Sequence, residues 1–331
     1  MNKRFDNKRL LILLAGLAAI LLLTFLIQRP RKNGTLKERI ADFDTSAVVK
    51  VIIHPKAGKG NPFELDRKDN AWLAKQEDIV SPAVKGNIEN MMGEVIGLKP
   101  GSLAAVKKSS WKEYELTDSA ATRIEFLDKK GKTLSDIMFG KMSYKQDNSQ
   151  YGGYGGNNLH VTSYVRLHND KNIYAVDGFV SFTFNTSFND WRDKTLIKAD
   201  RKDFTRVTFT YPADSSYILA KNGNIWQADG KNTDSTKVAG YLNSLALMNG
   251  YKIADNFKPD SDPVYKISVE GNNSLKVNLE CYAGKGTDEY IIHSSMNPGL
   301  YFSSGWKDLP ERLLRPASYF LTPEKAGKKT R

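Results

Sequence analysis

The side chains that could carry chemistry in this chain are dispersed. The four histidines, His54, His160, His168 and His293, lack the i, i+4 pairing that sets two imidazoles on one helix face around a metal. The single cysteine, Cys281, excludes an intramolecular disulfide and a thiolate-rich metal site. It alternates with Leu275, Val277 and Leu279 and so shares their side-chain direction, which predicts a buried structural thiol over a nucleophile. There is no GxSxG elbow, no phosphate loop ending in GK[ST] and no GxGxxG after a strand. The run Gly152-Gly153-Tyr154-Gly155-Gly156 lacks the lysine and the strand-to-helix setting of a phosphate cradle. Carboxylates are plentiful, but a sequence cannot bring a chosen pair together. The expectation is therefore no catalytic residue, no cofactor and no metal.

The elements that position these residues are organised by an internal similarity, which has to be sought before any fold is assigned. Val51-Ile52-Ile53, Phe63-Glu64-Leu65 and Trp72-Leu73-Ala74 precede a run carrying Val84, Gly86, Ile88 and Met91. Val207-Thr208-Phe209, Tyr217-Ile218-Leu219 and Trp226-Gln227-Ala228 precede Val238, Gly240, Leu242 and Leu245. From Phe63 and Tyr217 to Met91 and Leu245 the offset holds at 154 residues, which predicts two modules of one plan. Trp72 and Trp226 are each expected in a module core. Ser81-Pro82 reads as a cap followed by proline at the first helical position, and the spacing of Val84, Ile88, Met91 and Val95 predicts an amphipathic helix ending near Gly97. Further strands are predicted at Thr122 to Leu127, Leu134 to Phe139, Ser163 to His168 and Ile173 to Val176. His168 and His293 stand at matching places, which points to a scaffold role.

The fold class predicted is α+β: two tandem repeats of antiparallel strands with one long helix each, after an N-terminal transmembrane helix. The expected organisation is a basic N-terminus (1–9), an anchor (10–27), a tether (28–46), repeat 1 (47–177), a bridging segment (178–200), repeat 2 (201–321) and a basic tail (322–331). The aromatics of the bridge, Phe179, Phe182, Phe184, Phe188 and Trp191, are expected to be core, since they lack the basic alternation of single-strand binders.

The net charge of +12 resembles a nucleic-acid signal until it is located. Residues 1–32 hold seven cations against one acid and residues 322–331 four against one, leaving +3 for the body. That is too little for a phosphate-tracking surface, so no nucleic-acid partner is expected. Leu10 to Ile27 is an apolar run of about the length that spans a bilayer core. Phe25-Leu26-Ile27-Gln28-Arg29-Pro30 offers no small-residue cleavage site, which favours an uncleaved anchor over a secretory signal. A short basic N-terminus before a long body favours N-in, body-out insertion in a bacterial inner membrane, with the body periplasmic.

With this anchor, the duplicated strand and tryptophan pattern, and Trp191-Arg192-Asp193-Lys194-Thr195-Leu196 ahead of the second module, the chain resembles the bacterial family called domain of unknown function 4340. The resemblance implies an anchored envelope protein, of which some are encoded near gliding-motility-type ABC transporter auxiliary components, and it brings no site residues. The function expected is binding of a protein or an envelope component, as a transporter or gliding-type accessory. The alternative is an envelope-polymer hydrolase or transferase working through dispersed carboxylates. Between Phe139-Gly140-Lys141 and Tyr164 the first module has 18 positions more than the second has between Ala283-Gly284-Lys285 and Tyr290. This insertion holds Tyr144, Tyr151, Tyr154 and His160, the candidate partner-binding loop, because long loops of tyrosine, glycine and asparagine suit adaptable recognition.

Overall fold

Alternating apolar residues become strands through most of the chain in a computed structural model that describes residues 36–146, 159–285, 289–305 and 308–322. The proposed anchor, most of the tether, Tyr151, Tyr154, the Gly152 to Gly156 run and the basic tail beyond Thr322 lie outside the described residues. Among those described, no helix is long and apolar enough to cross a membrane.

In chain order the strands are β1 (Lys50–His54), β2 (Phe63–Lys68), β3 (Ala71–Gln76) and β4 (Ile79–Ala83), then helix α1 (Lys85–Gly97). Next come β5 (Ser102–Ala105), β6 (Thr122–Leu127), β7 (Thr133–Gln146), β8 (Leu159–Leu167) and β9 (Ile173–Asp177), followed by the short helices α2 (Val180–Thr183) and α3 (Phe188–Trp191). The C-terminal half holds β10 (Thr195–Lys198), β11 (Phe204–Thr210), β12 (Tyr217–Asn222), β13 (Ile225–Ala228) and β14 (Lys231–Asn232), then α4 (Ser235–Ala246). It closes with β15 (Leu247–Asn249), β16 (Lys252–Ile253), β17 (Tyr265–Gly271), β18 (Lys276–Ala283), β19 (Tyr290–Ser294) and β20 (Tyr301–Ser303), and with α5 (Asp308–Leu313) and α6 (Ala317–Phe320). Antiparallel sheet with few helices is thus the architecture, α+β weighted to strand.

The chain divides into two compact units that do not follow the boundaries 47–177 and 201–321. One takes the described residues up to Ala47 with 54–58 and 90–185; the other takes 48–53, 59–89 and the described residues from Thr186 onward.

In the first unit the strands run in the order β6-β7-β8-β9-β5. Ile124, Phe126, Ile137, Phe139 and Val165 are buried, with Phe43 stacked on Phe126 at 4.7 Å and Phe184 against Phe139 at 4.6 Å. The β7–β8 register shifts between Phe139 and Met142, where Gly140 sits so close to the chain at Tyr114 and Leu116 that a Cβ would overlap the Tyr114 carbonyl oxygen. Arg166 is buried with its guanidinium 3.6 Å from the Trp111 ring centre, and donates to the carbonyls of Leu116, Leu167 and His168 at 2.9, 3.1 and 2.7 Å. Burial pushes its pKa below the ordinary arginine value.

In the second unit there are a β4-β3-β2-β1 ladder, a β10-β15 pair, and a nine-stranded sheet in the order β14-β13-β12-β11-β17-β18-β19-β20-β16. Its core gathers Phe209, Tyr217, Tyr241 and Phe320, with Phe209 and Tyr217 stacked at 4.3 Å. The C-terminal helices are fixed there by buried hydroxyls: Tyr241 donates to Leu313 O at 3.0 Å and Tyr217 to Arg315 O at 2.5 Å. Cys281 is buried in this core, and burial pushes its thiol up to about 12, which suits an inert structural residue.

The strand pairings recur along the sequence. Ile53 opposite Phe63 and Arg67 opposite Trp72 are matched by Phe209 opposite Tyr217 and Lys221 opposite Trp226. The successions β4-β3-β2-β1 and β6-β7-β8-β9-β5 have counterparts in β14-β13-β12-β11 and β17-β18-β19-β20-β16.

Three expectations are corrected. Ser81 and Pro82 do not open a helix; they lie in β4 opposite Ala74 and Leu73, and α1 begins at Lys85. Pro82 is tolerated because β4 is an edge strand, where a missing N–H breaks no ladder bond. Secondly, β7 continues beyond Phe139 to Gln146, and β8 begins at Leu159, so both ends of the supposed loop are strand. Thirdly, Phe184, Phe188 and Trp191 are core as expected, whereas Phe179 and Phe182 are exposed.

Candidate functional site

The site is built from the part of β7 and β8 that runs past the sheet. The ladder pairs Met142 with Ser163, Tyr144 with Val161 and Gln146 with Leu159. Directly opposed residues share a face, and side chains two apart do too, so Met142, Tyr144, Leu159, Val161, Ser163 and Val165 face one way. Near Val165 this face is core, covered by α2: the Ser181 N–H donates to Ser163 Oγ at 3.1 Å, and Ser163 Oγ donates to Gly178 O at 2.7 Å. Further along β8 the cover ends. Ser163 is fully buried and Val161 9% exposed, while Leu159 is 50% exposed and its strand neighbour Tyr144 80%.

The Gly178 N–H donates to Val161 O at 2.8 Å, which sets Phe179 beside the same stretch of β8. Phe182, 70% exposed, lies one helical turn on in α2. Met142, Tyr144 and Leu159 therefore extend the core face of the sheet into solvent, and Phe179 and Phe182 are exposed in the segment that follows β9. A contiguous exposed apolar surface is a candidate for interaction, whereas isolated exposed apolar residues are not.

The ribbon's other face is polar, with Ser143, Lys145, His160 and Thr162. Of the candidate residues, Tyr144 therefore belongs to the apolar face and His160, paired with Lys145, to the opposite one. Tyr151 and Tyr154 lie outside the described residues. Met142, Leu159, Phe179 and Phe182 are the residues missed in the sequence, and the signal that could have found the first two is strand alternation continued past Gly140.

Charged side chains gather elsewhere in the first unit. Arg123 makes a two-pronged bond to Asp136 at 2.9 and 2.8 Å and reaches Glu125 at 3.2 Å; the Asp136 bonds hold its pKa above the usual arginine value. His54 Nε2 lies 2.9 Å from Glu125, and His168 Nδ1 lies 3.2 Å from Asp136. In the second unit His293 Nδ1 lies 3.2 Å from Glu280, its cross-strand partner. His168 and His293 thus each answer a carboxylate of the adjoining strand. Among the described residues no group of three or more histidine, cysteine or carboxylate side chains could hold a metal ion.

In the second unit Arg192 is almost wholly enclosed. Its guanidinium donates to both Asp255 carboxylate oxygens at 2.7 and 2.5 Å, to Ser81 Oγ at 3.0 Å and to Asn189 Oδ1 at 3.1 Å. Backbone bonds from Val84 N to Trp191 O and from Asp193 N to Pro82 O flank it. All its strong partners come from the chain itself, so Arg192 reads as a clamp between β4 and the segment after β16.

The fold and these surfaces define an antiparallel-sheet protein whose β7–β8 ribbon exposes apolar side chains among the described residues. The family described as "Domain of unknown function (DUF4340)" matches residues 76–268, and the chain belongs to this family. No curated protein and no solved structure matches the chain.

Proposed function

We propose that this is a non-enzymatic protein held to a bacterial inner membrane by residues 10–27, with its body on the periplasmic side, and that it binds a partner protein through the apolar face of the β7–β8 ribbon. The observation that carries the reading is the exposed continuation of a core face through Met142, Tyr144 and Leu159, flanked by Phe179 and Phe182. A protein is favoured over the bilayer as occupant by where the tether joins the body. Lys37, at the start of the described chain, pairs with Asp170 at 3.6 Å, just past the far end of β8. Leu159 lies at the opposite end of that strand, about 26 Å away at about 3.3 Å per residue. On this reading the apolar face lies at the end of β8 away from Lys37. An ABC-transporter or gliding-type accessory role is consistent with such a tethered binding module.

We also infer that the two halves arose by duplication, since pairings and strand successions recur at a near-constant offset. The alternative of an envelope-polymer hydrolase has less support, because Glu125 and Asp136 are both engaged by Arg123 and by a histidine.

Membrane fractionation with protease accessibility in spheroplasts tests the anchoring. Carbonate-resistant membrane association, with a body digested only after the outer envelope is opened, is expected. A body protected in intact spheroplasts would overturn the orientation.

A further inference from the structure

We propose that the second unit carries a binding pocket for an acidic saccharide, built around Trp226. The cavity, about 340 Å³, lies between β13, the first turn of α4 and the turn before β11. That volume is at the lower end of the roughly 300–1,000 Å³ typical of small-molecule sites, enough for a sugar unit or two.

The two halves differ around this tryptophan. In the first half β4 is five residues long and sets Ala83 opposite Trp72, which is buried. In the second half β14 has two residues, pairing only with Gln227 and Ala228, and no residue of it stands opposite Trp226. The Thr233 hydroxyl takes the Trp226 carbonyl instead, at 2.7 Å, and the chain turns at once into α4. The indole is therefore left half-buried, seated on the apolar core with one side on the cavity.

Around it stand groups that the fold does not need. Arg201, Lys202 and Lys221 line the cavity, and none of them pairs with a carboxylate among the described residues. By strand register, Arg201 and Lys202 fall where the first half has Thr45 and Ser46 in the equivalent turn, so this charge is peculiar to the second half. The side chains of Asn224 and Ser235 also line the cavity and make no hydrogen bond within the described chain.

An aromatic face suits the C–H face of a pyranose, amide and hydroxyl groups suit its hydroxyls, and unpaired cations suit a carboxylate. Among the described residues the lining holds no carboxylate, histidine or cysteine, and what it offers a ligand is recognition.

The test is calorimetric titration of the full-length protein in detergent with trigalacturonate, maltotriose and inorganic phosphate. Backbone and indole NMR shifts would be read alongside, with the Trp226 signal assigned through Trp226→Phe. Binding of trigalacturonate that moves the Trp226 signal, at least tenfold tighter than maltotriose or phosphate, is expected. The double variant Arg201→Gln, Lys202→Gln should lose about tenfold or more while melting as the parent does, since both side chains are exposed. Equal affinity for maltotriose would remove the charge from the proposal, and equal affinity for phosphate would reduce the pocket to a bare anion site; either overturns it. Absence of binding at millimolar trigalacturonate also overturns it.

Discussion

Asp255→Ala should weaken the second unit more than Arg192→Met, although the aspartate is the smaller and more exposed partner. The reason lies in what each change leaves behind. Arg192 has 1% of its side chain exposed and Asp255 28%, so removing the aspartate leaves a buried guanidinium without its counter-charge. Removing one partner of a buried pair costs about 3–5 kcal/mol, and Asp255→Ala belongs in that range. Arg192→Met keeps an apolar stem against Phe188 and leaves a carboxylate that water can solvate. Its cost is then mainly the lost donors to Ser81 and Asn189, about 1–3 kcal/mol. Hydrogen exchange at the amides of Val84 and Asp193, which bond to Trp191 O and Pro82 O beside the clamp, reports the local opening directly. A loss of about 3 kcal/mol is roughly a hundredfold in exchange rate. If Arg192→Met accelerates exchange as much as Asp255→Ala, or if Asp255→Ala changes it less than tenfold, the clamp is not the buried charge pair described.

Trp72→Ala should cost about 3–5 kcal/mol because the ring is buried, and Trp226→Ala clearly less because its ring is half-buried; chemical denaturation of the two variants compares them. Gly140→Ala should destabilise the first unit, since a Cβ would meet the Tyr114 carbonyl and must displace backbone; a melting temperature equal to the parent's would contradict that packing. Alkali should unfold the second unit. Burial raises the pKa values of Cys281, to about 12, and of Tyr217 and Tyr241 above the usual tyrosine range, so the folded state holds protons that the unfolded chain releases. The stability they contribute is complete below about pH 9 and is lost as pH rises through the unfolded thiol and phenol values toward the folded ones. Cys281→Ala should delay the first part of that loss in a pH series of thermal melts.

Much of the scaffold was legible because strand alternation is a local signal. Phe63, Leu65, Trp72 and Ala74 are buried as their alternation implies, and so are Tyr217 and Leu219. Ile88, Met91 and Val95 form the buried stripe of α1 as their spacing implies. What failed depended on partners distant in sequence. Ser81-Pro82 has the local grammar of a helix start, but pairing with Leu73 and Ala74 on β3 holds it extended. Phe179 and Phe182 carry the same residue type as Phe184, and Phe184 finds a packing partner in the sheet, Phe139, while the other two are exposed. The middle of the supposed loop lies outside the described residues, and its described ends are strand, so Tyr144 and His160 are separated by the alternation of a ribbon. The clamp was invisible, because no pattern relates Arg192 to Asp255 across 63 residues.

Partner binding through one face of the ribbon is tested most directly by site-specific photo-crosslinking in living cells. A photoreactive residue at Tyr144 samples the apolar face, and one at the adjoining Lys145 samples the polar face. The account predicts a protein adduct of defined mass from position 144, absent from position 145 and abolished by Phe182→Ser. Adducts of equal yield from both positions, or lipid adducts alone from position 144, would contradict it.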